Sequence, residues 1–168
     1  QKFLESGADK ISLNTAAYKN PSLVEDIANI YGSQCVVASV DVKKVGEEKW
    51  ACFSKAGSYN ENKDLIVWAK ELESRGAGEL LITSIDKDGT MEGYDLDLLN
   101  SVVEAVNIPV IASGGAGNYQ DMIDAALCGV SAVASASMYH FTEQTPAGAK
   151  ASMAKAGISI RENFVASS

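Results

Sequence analysis

The sequence predicts an α/β fold in which parallel strands form a sheet covered by helices, and three observations carry that expectation. Short apolar runs alternate with segments of helical period along the whole chain, the pattern of successive strand–helix units. Residues 108–117, IPVIASGGAG, are an apolar run that breaks into Ser113, Gly114, Gly115 and Gly117. Such a run reads as a strand buried on both faces, ending in a glycine turn whose amides, with the start of the following helix near Asn118, are expected to make an anion site. No dinucleotide fingerprint follows the first strand, and a full barrel of eight units takes about 250 residues, whereas this chain has 168 and opens in mid-helix. The expectation is therefore one domain over 1–168: the C-terminal portion of a (β/α)8 barrel, roughly strands 4 to 8, with 43–62 inserted as a hairpin.

Each element has its own signal. Residues 1–6 read as a helix end closed by Gly7, 9–14 as a first strand and 15–19 as a loop. Asn20 and Pro21 read as the cap and first position of a helix with Leu23, Ile27 and Ile30 on one face, stopped by Gly32. Residues 35–42, CVVASVDV, are a second buried strand. Over 43–62 helical period is absent, and Trp50, Cys52 and Ser54 alternate with Ala51 and Phe53, so a hairpin is expected. Residues 63–75 form an amphipathic helix with Leu65, Ile66, Ala69 and Leu72 inward and Gly76 after it. A third strand over 79–85 leads into the polar loop 86–93, and Asp95 opens a helix with Leu96, Leu99, Val103 and Val106 on its apolar side. After the glycine-ended strand come a helix over 119–127, a fifth strand over 131–137, and a helix opened by Thr145 and Pro146 that ends at Gly157. Residues 161–168 read as a frayed tail. GADKISLNT (7–15) echoes GVSAVASAS (129–137), as expected of a barrel made from duplicated halves.

The bulk numbers exclude several functions. A net charge of −8 and a pI near 4.6 argue against nucleic acid or an anionic membrane as the main partner. A phosphate would be held by backbone dipoles and a few side chains. No apolar run approaches the roughly 20 residues needed to span a bilayer, no signal peptide opens the chain, and a cytoplasmic location is expected. Cys35, Cys52 and Cys128 include no CxxC pair and read as reduced thiols.

In a barrel, chemistry sits at the C-terminal ends of the strands. Here those positions hold Asn14 and Thr15, Asp41 and Lys43, Thr83, Ser84, Asp86 and Asp88, Ser113, Gly114 and Gly115, and Ala136 and Ser137. Asp41 ends an apolar strand, where poor solvation raises a carboxyl pKa and suits it to acid–base work; the other reading is a turn cap or a pair with Lys43. The loop from Asp86 to Thr90 lacks calcium-loop spacing, and substrate hydroxyl binding or turn chemistry remains. Thr15 and Ser137 read as phosphate donors or as local caps. His140, the lone histidine, reads as packed and hydrogen-bonded, and Trp50, Phe53 and Tyr59 as a stacking surface or as a cover for the barrel mouth.

GADKISLNTAA (7–17), GSQCVVASVDVKK (32–44), GAGELLITSIDKDGTMEGYDLDLL (76–99), NIPVIASGGAGN (107–118) and ASMYHF (136–141) resemble, in order, the cyclase subunit family of imidazole glycerol phosphate synthase. The related isomerase of histidine biosynthesis shares the DGT and SGG loops and matches GADKISLNTAA and ASMYHF less well. The resemblance implies a barrel with two phosphate sites that takes a bis-phosphorylated aminoimidazole-carboxamide ribonucleotide. Ammonia from a glutaminase partner cyclises and cleaves it to imidazole glycerol phosphate and an aminoimidazole ribotide, with no metal or redox cofactor. It assigns general-acid catalysis to Asp41, one phosphate site to Ser113, Gly114, Gly115, Ala136 and Ser137, and part of the other to Asn14 and Thr15. Thr83, Asp88 and Gly89 fall on its substrate loop, and Asp9, Lys10, Gln34 and Glu79 on its partner-facing ammonia entrance. The family's second carboxylate lies on the first strand, outside these residues, so the 168-residue chain alone is expected to be inactive. Lys43-Lys44, the hairpin end 58–62, Met91-Glu92-Gly93 and 140–146 depart from the family's commonest pattern. They resemble a paralogous branch of surface-polysaccharide biosynthesis, in which ammonia amidates a sugar. A third reading is an inactive half-barrel that pairs with itself or with a missing half, because five strands leave two edges.

Overall fold

The computed structural model describes residues 2–161. Its elements are α1 (Lys2–Glu5), β1 (Ile11–Leu13), α2 (Thr15–Lys19), α3 (Ser22–Tyr31), β2 (Val36–Gly46), β3 (Lys49–Ser54), β4 (Tyr59–Asp64), α4 (Leu65–Ser74), β5 (Glu79–Ser84), α5 (Leu96–Ala105), β6 (Val110–Ser113), α6 (Tyr119–Leu127), β7 (Ala132–Ala134), α7 (Ser137–Phe141) and α8 (Pro146–Lys155). Strands β1, β2, β5, β6 and β7 are parallel neighbours in that order, an arc of a (β/α) barrel. The antiparallel pair β3–β4 hangs on β2. Among the described residues no helix is long and apolar enough to cross a membrane.

The long strand β2 forks the sheet. Along one edge its residues 36–38 pair with β1 and its residues 41–46 with β3, while residues 37–42 pair with β5 on the other edge. Side chains alternate across a strand, and burial follows that period. Val36, Ala38, Val40, Val42, Leu80, Ile82 and Ala112 are fully buried with Trp68, Leu72 and Val102 of the covering helices. Each large apolar side chain so buried contributes about 1.5–3 kcal/mol. Ser39, Asp41, Leu81, Thr83, Ile111 and Ser113 lie on the opposite face and stay half-buried. One face of the sheet is core; the other is an open inner wall.

Several local expectations are corrected. Residues 15–19 are helix α2, which buries Ala17, rather than a loop. Asn20 does not cap α3, because its Oδ1 accepts from the Ser22 hydroxyl at 2.8 Å. Val24 and Ile27 carry the buried face of α3 while Ile30 is exposed. Strand β4 runs to Asp64, held opposite Ala51, so α4 starts at Leu65 and Asp64 caps it by accepting from the Val67 amide at 3.1 Å. Helix α5 buries Leu98, Leu99 and Val102, with Val106 buried in extended backbone just after it, leaving Leu96 and Val103 at its margins. Only residues 132–134 of the expected last strand are extended, and Ser137 opens α7 instead. Trp68, which the helical period over 63–75 failed to single out, is wholly buried and stacks on Tyr18 with ring centroids 4.8 Å apart. The expected tail falls, beyond Arg161, outside the described residues.

Candidate active site

Asp41 of β2 pairs with Thr83 of β5, Thr83 with Ser113 of β6, and Ser113 with Ala134 of β7. Residues paired across a sheet project to the same face, so Asp41, Thr83 and Ser113 form a row on the inner wall at the strands' C-terminal ends. Asp41 stands just past the fork in β2, with Phe53 of β3 as its partner on the hairpin side. Its carboxyl is pushed up from the usual carboxylate range, first by burial and less by the charge of Asp88, while a hydrogen bond from the Asn14 side chain opposes the rise. Asn14, at the N-cap of α2, keeps its buried Oδ1 without a partner. The pairing of Asp41 with Lys43 that the sequence allowed is not formed, since the Lys43 ammonium lies over the Phe53 ring, 5.2 Å from its centroid.

The glycine turn after β6 walls a cavity of about 200 Å³. Its lining comprises Asp88 and Gly89 from the loop after β5, the turn from Ser113 to Ala116, and the run from Ala134 to Ser137 that enters α7. Gly114 and Gly115 have φ of +87° and +115°, values costly for a residue with a Cβ, and a Cβ on Gly115 would lie 2.2 Å from the Gly93 carbonyl. Glycine lets two loops touch there, and the Gly93 amide donates to the Gly115 carbonyl at 2.9 Å. One expectation changes: the start of α6 near Asn118 is no anion site. The Gly117 and Asn118 amides both donate to Asp121 Oδ2, at 2.8 and 3.0 Å, and Asn118 caps the helix with its own side chain. Of the groups lining the cavity, the backbone amides of Gly114, Gly115, Ala136 and Ser137 and the Ser137 hydroxyl are of the kind that holds an anion. Ala116, Ala134 and Ser135 also line the cavity and were missed. Their signal was the strand end itself, since a parallel strand delivers its following residues to the same rim.

The hairpin closes over this rim from the other side. The Lys44 amide donates to Asp86 Oδ2 at 2.9 Å, and the Lys55 amide at the hairpin tip donates to Thr15 Oγ1 at 3.0 Å. Trp50 is buried and its indole N–H donates to Asp95 Oδ2 at 3.2 Å, whereas Tyr59 is exposed. Trp50 therefore serves the hairpin's base rather than a ligand. His140 is exposed, tilted against Phe141 at 6.3 Å, and is not the packed histidine the sequence suggested. Among the described residues no group of three or more His, Cys, Asp or Glu is placed to hold a metal ion.

At the other end of the sheet Lys10 and Glu79, just before β1 and at the start of β5, form an ion pair across the start of β2. Asp9 adjoins Lys10, and Gln34 lies in the 3₁₀ turn before β2, its Nε2 donating to the Tyr31 carbonyl at 3.2 Å. The candidate residues thus fall into two sets: Asn14, Thr15, Asp41, Thr83, Asp88, Gly89, Ser113, Gly114, Gly115, Ala136 and Ser137 at the C-terminal rim, and Asp9, Lys10, Gln34 and Glu79 at the N-terminal end.

The chain is 46% identical over 162 residues to imidazole glycerol phosphate synthase subunit HisF of Hydrogenobaculum sp. (strain Y04AAS1). It is 45% identical over 161 residues to the subunit of the same name from Dictyoglomus thermophilum. Each match covers 96% of this chain and 64% of the relative's length. Residues 1–145 match the family described as histidine biosynthesis protein. The family match spans the whole five-strand parallel arc, and the relatives agree with it: the chain belongs to the histidine biosynthesis protein family, its parallel strands forming part of that family's (β/α)8 barrel.

Proposed function

We propose that residues 1–168 are one domain of a longer barrel, with the hairpin inserted, and that the barrel is the ammonia-dependent cyclase subunit of imidazole glycerol phosphate synthase. Its substrate is a bis-phosphorylated aminoimidazole-carboxamide ribonucleotide, and its ammonia comes from a glutaminase partner docked at the end marked by Asp9, Lys10, Gln34 and Glu79. The observation that carries this reading is the row from Asp41 through Thr83 to Ser113, which sets an acid and the glycine-walled cavity on one rim.

The chemistry follows from the groups. One phosphate sits among the amides of Gly114, Gly115, Ala136 and Ser137, which supply positive dipoles without a basic field. Asn14 and Thr15, the counterparts of Ala136 and Ser137 in the internal echo, contribute to the second phosphate site. Between them Thr83, Asp88 and Gly89 hold the ribose and the carbonyl that ammonia attacks. Asp41, whose carboxyl pKa is raised by burial, gives its proton to the oxygen lost as the ring closes. Asn14 orients that carboxyl through its amide donor and leaves Oδ1 as an acceptor for the substrate.

In the full-length protein, Asp41→Asn should lower ammonia-dependent turnover by about 100-fold or more while changing substrate KM little; near-normal turnover overturns the assignment. The departures at Lys43-Lys44 and 140–146 favour a second reading, amidation of a surface-polysaccharide sugar. Growth of a histidine auxotroph supplied with the complete gene excludes that reading, and failure to grow with soluble protein present favours it.

A further inference from the structure

The loop between α7 and α8 braces the anion cavity from behind, through residues that do not line it. Gln144 Nε2 donates to the Gly117 carbonyl at 2.7 Å and to Thr142 Oγ1 at 3.2 Å. The Gln144 amide also donates to Thr142 Oγ1, at 3.1 Å, and that hydroxyl donates to the Met138 carbonyl at 2.5 Å. Next along the chain, the Thr145 amide donates to the Tyr119 hydroxyl at 2.9 Å.

These bonds join the two walls of the cavity. Gly117 follows Ala116, the last residue of the glycine wall, and Met138 follows Ser137, the last residue of the α7 wall. Met138 is fully buried, so one end of the brace is anchored in the core. Gly117 is confined as well, since a Cβ there would lie 2.2 Å from the Met91 carbonyl. An anion gripped by amides from two loops is held only as well as the loops keep their spacing, because hydrogen-bond energy falls steeply with distance and angle.

We propose that Gln144, held by Thr142, is a positioning residue that sets the spacing between the glycine turn and the start of α7, and so the affinity of the cavity for a phosphate group. The proposal rests on the reading of this cavity as a phosphate site. A neutral side chain with a long reach and an N–H donor suits the position: a carboxylate of the same length would set lone pairs against the Gly117 carbonyl and add negative charge near the anion.

The test is titration of the full-length protein with inorganic phosphate, read by the amide NMR shifts of Gly114, Gly115 and Ser137. Gln144→Met and Thr142→Val should each weaken phosphate binding about 3–10-fold, the worth of one hydrogen bond, and Asn100→Ala, on the exposed side of α5, should not. Because both residues belong to one brace, the double variant should lose no more than about twofold beyond the weaker single variant. Losses that multiply, or affinities that do not change, overturn the brace and leave the phosphate site standing. Absence of saturable shifts in the unsubstituted protein overturns the phosphate reading and the brace with it. If Gln144→Met fails to fold, Thr142→Val reads the same brace by itself.

Discussion

Asp41 and Ser113 pair with the same residue, Thr83, from its two sides. The acid and the start of the glycine turn are therefore two strand spacings apart on one rim, about 10 Å between backbones. That gap matches the proposed substrate, with its phosphate at one end and its reacting ring over the middle strand.

The raised pKa of Asp41 has a consequence for stability as well as catalysis. The folded chain holds that proton to higher pH than the unfolded chain does, so stability is greatest below the unfolded carboxyl pKa and falls as pH rises through the folded value. Asp41→Asn removes the ionisable group. Its melting temperature should exceed that of the unsubstituted protein at pH 7.5, by on the order of 2 °C, and the difference should close as pH falls towards 4. Thermal melts across that range check it, and a destabilised Asn variant at pH 7.5 contradicts burial as the dominant influence on Asp41.

Two glycines of the same cavity separate conformational strain from collision. Gly89 has φ +81° and open space where a Cβ would go, whereas Gly115 has φ +115° and the Gly93 carbonyl at 2.2 Å. Gly89→Ala should cost about 1 kcal/mol, the penalty of left-handed backbone alone, and Gly115→Ala about 3 kcal/mol or more, since backbone must move as well. Denaturant titration of both measures the difference; equal losses would mean that the loops around Gly115 yield freely.

The hairpin tip is tied to the start of α2 by a bond from the Lys55 amide to the Thr15 hydroxyl. Thr15→Val should speed hydrogen exchange at the Lys55 amide by about 5–10-fold. The Lys44 amide, held by Asp86 at the hairpin's base, should keep its rate. Equal acceleration at both sites would show that the hairpin opens as one body.

Some of this was legible because its causes are local. Glycine is favoured where φ turns positive, as at Gly32, Gly76, Gly115 and Gly157, and those breaks delimit elements whatever the rest of the chain does. The alternation of Trp50, Cys52 and Ser54 names the buried face of β3 for the same reason. Helix starts were less secure. Asn20, Lys63 and Ser137 show that a cap or boundary depends on which partner reaches a side chain or strand first, as when Ala51 holds Asp64 extended.

The sequence by itself determined the succession of strands and helices, the glycine turn after Ser113 and the acid ending an apolar run, because period, φ preference and polarity are properties of a few adjacent residues. Only the tertiary structure decided that Asp41 stands in register with Thr83 and Ser113, that Asp121 fills the start of α6, and that Gln144 braces Gly117. Each of those depends on contacts that sheet register and loop packing bring about, and no local pattern specifies which of several polar side chains will arrive.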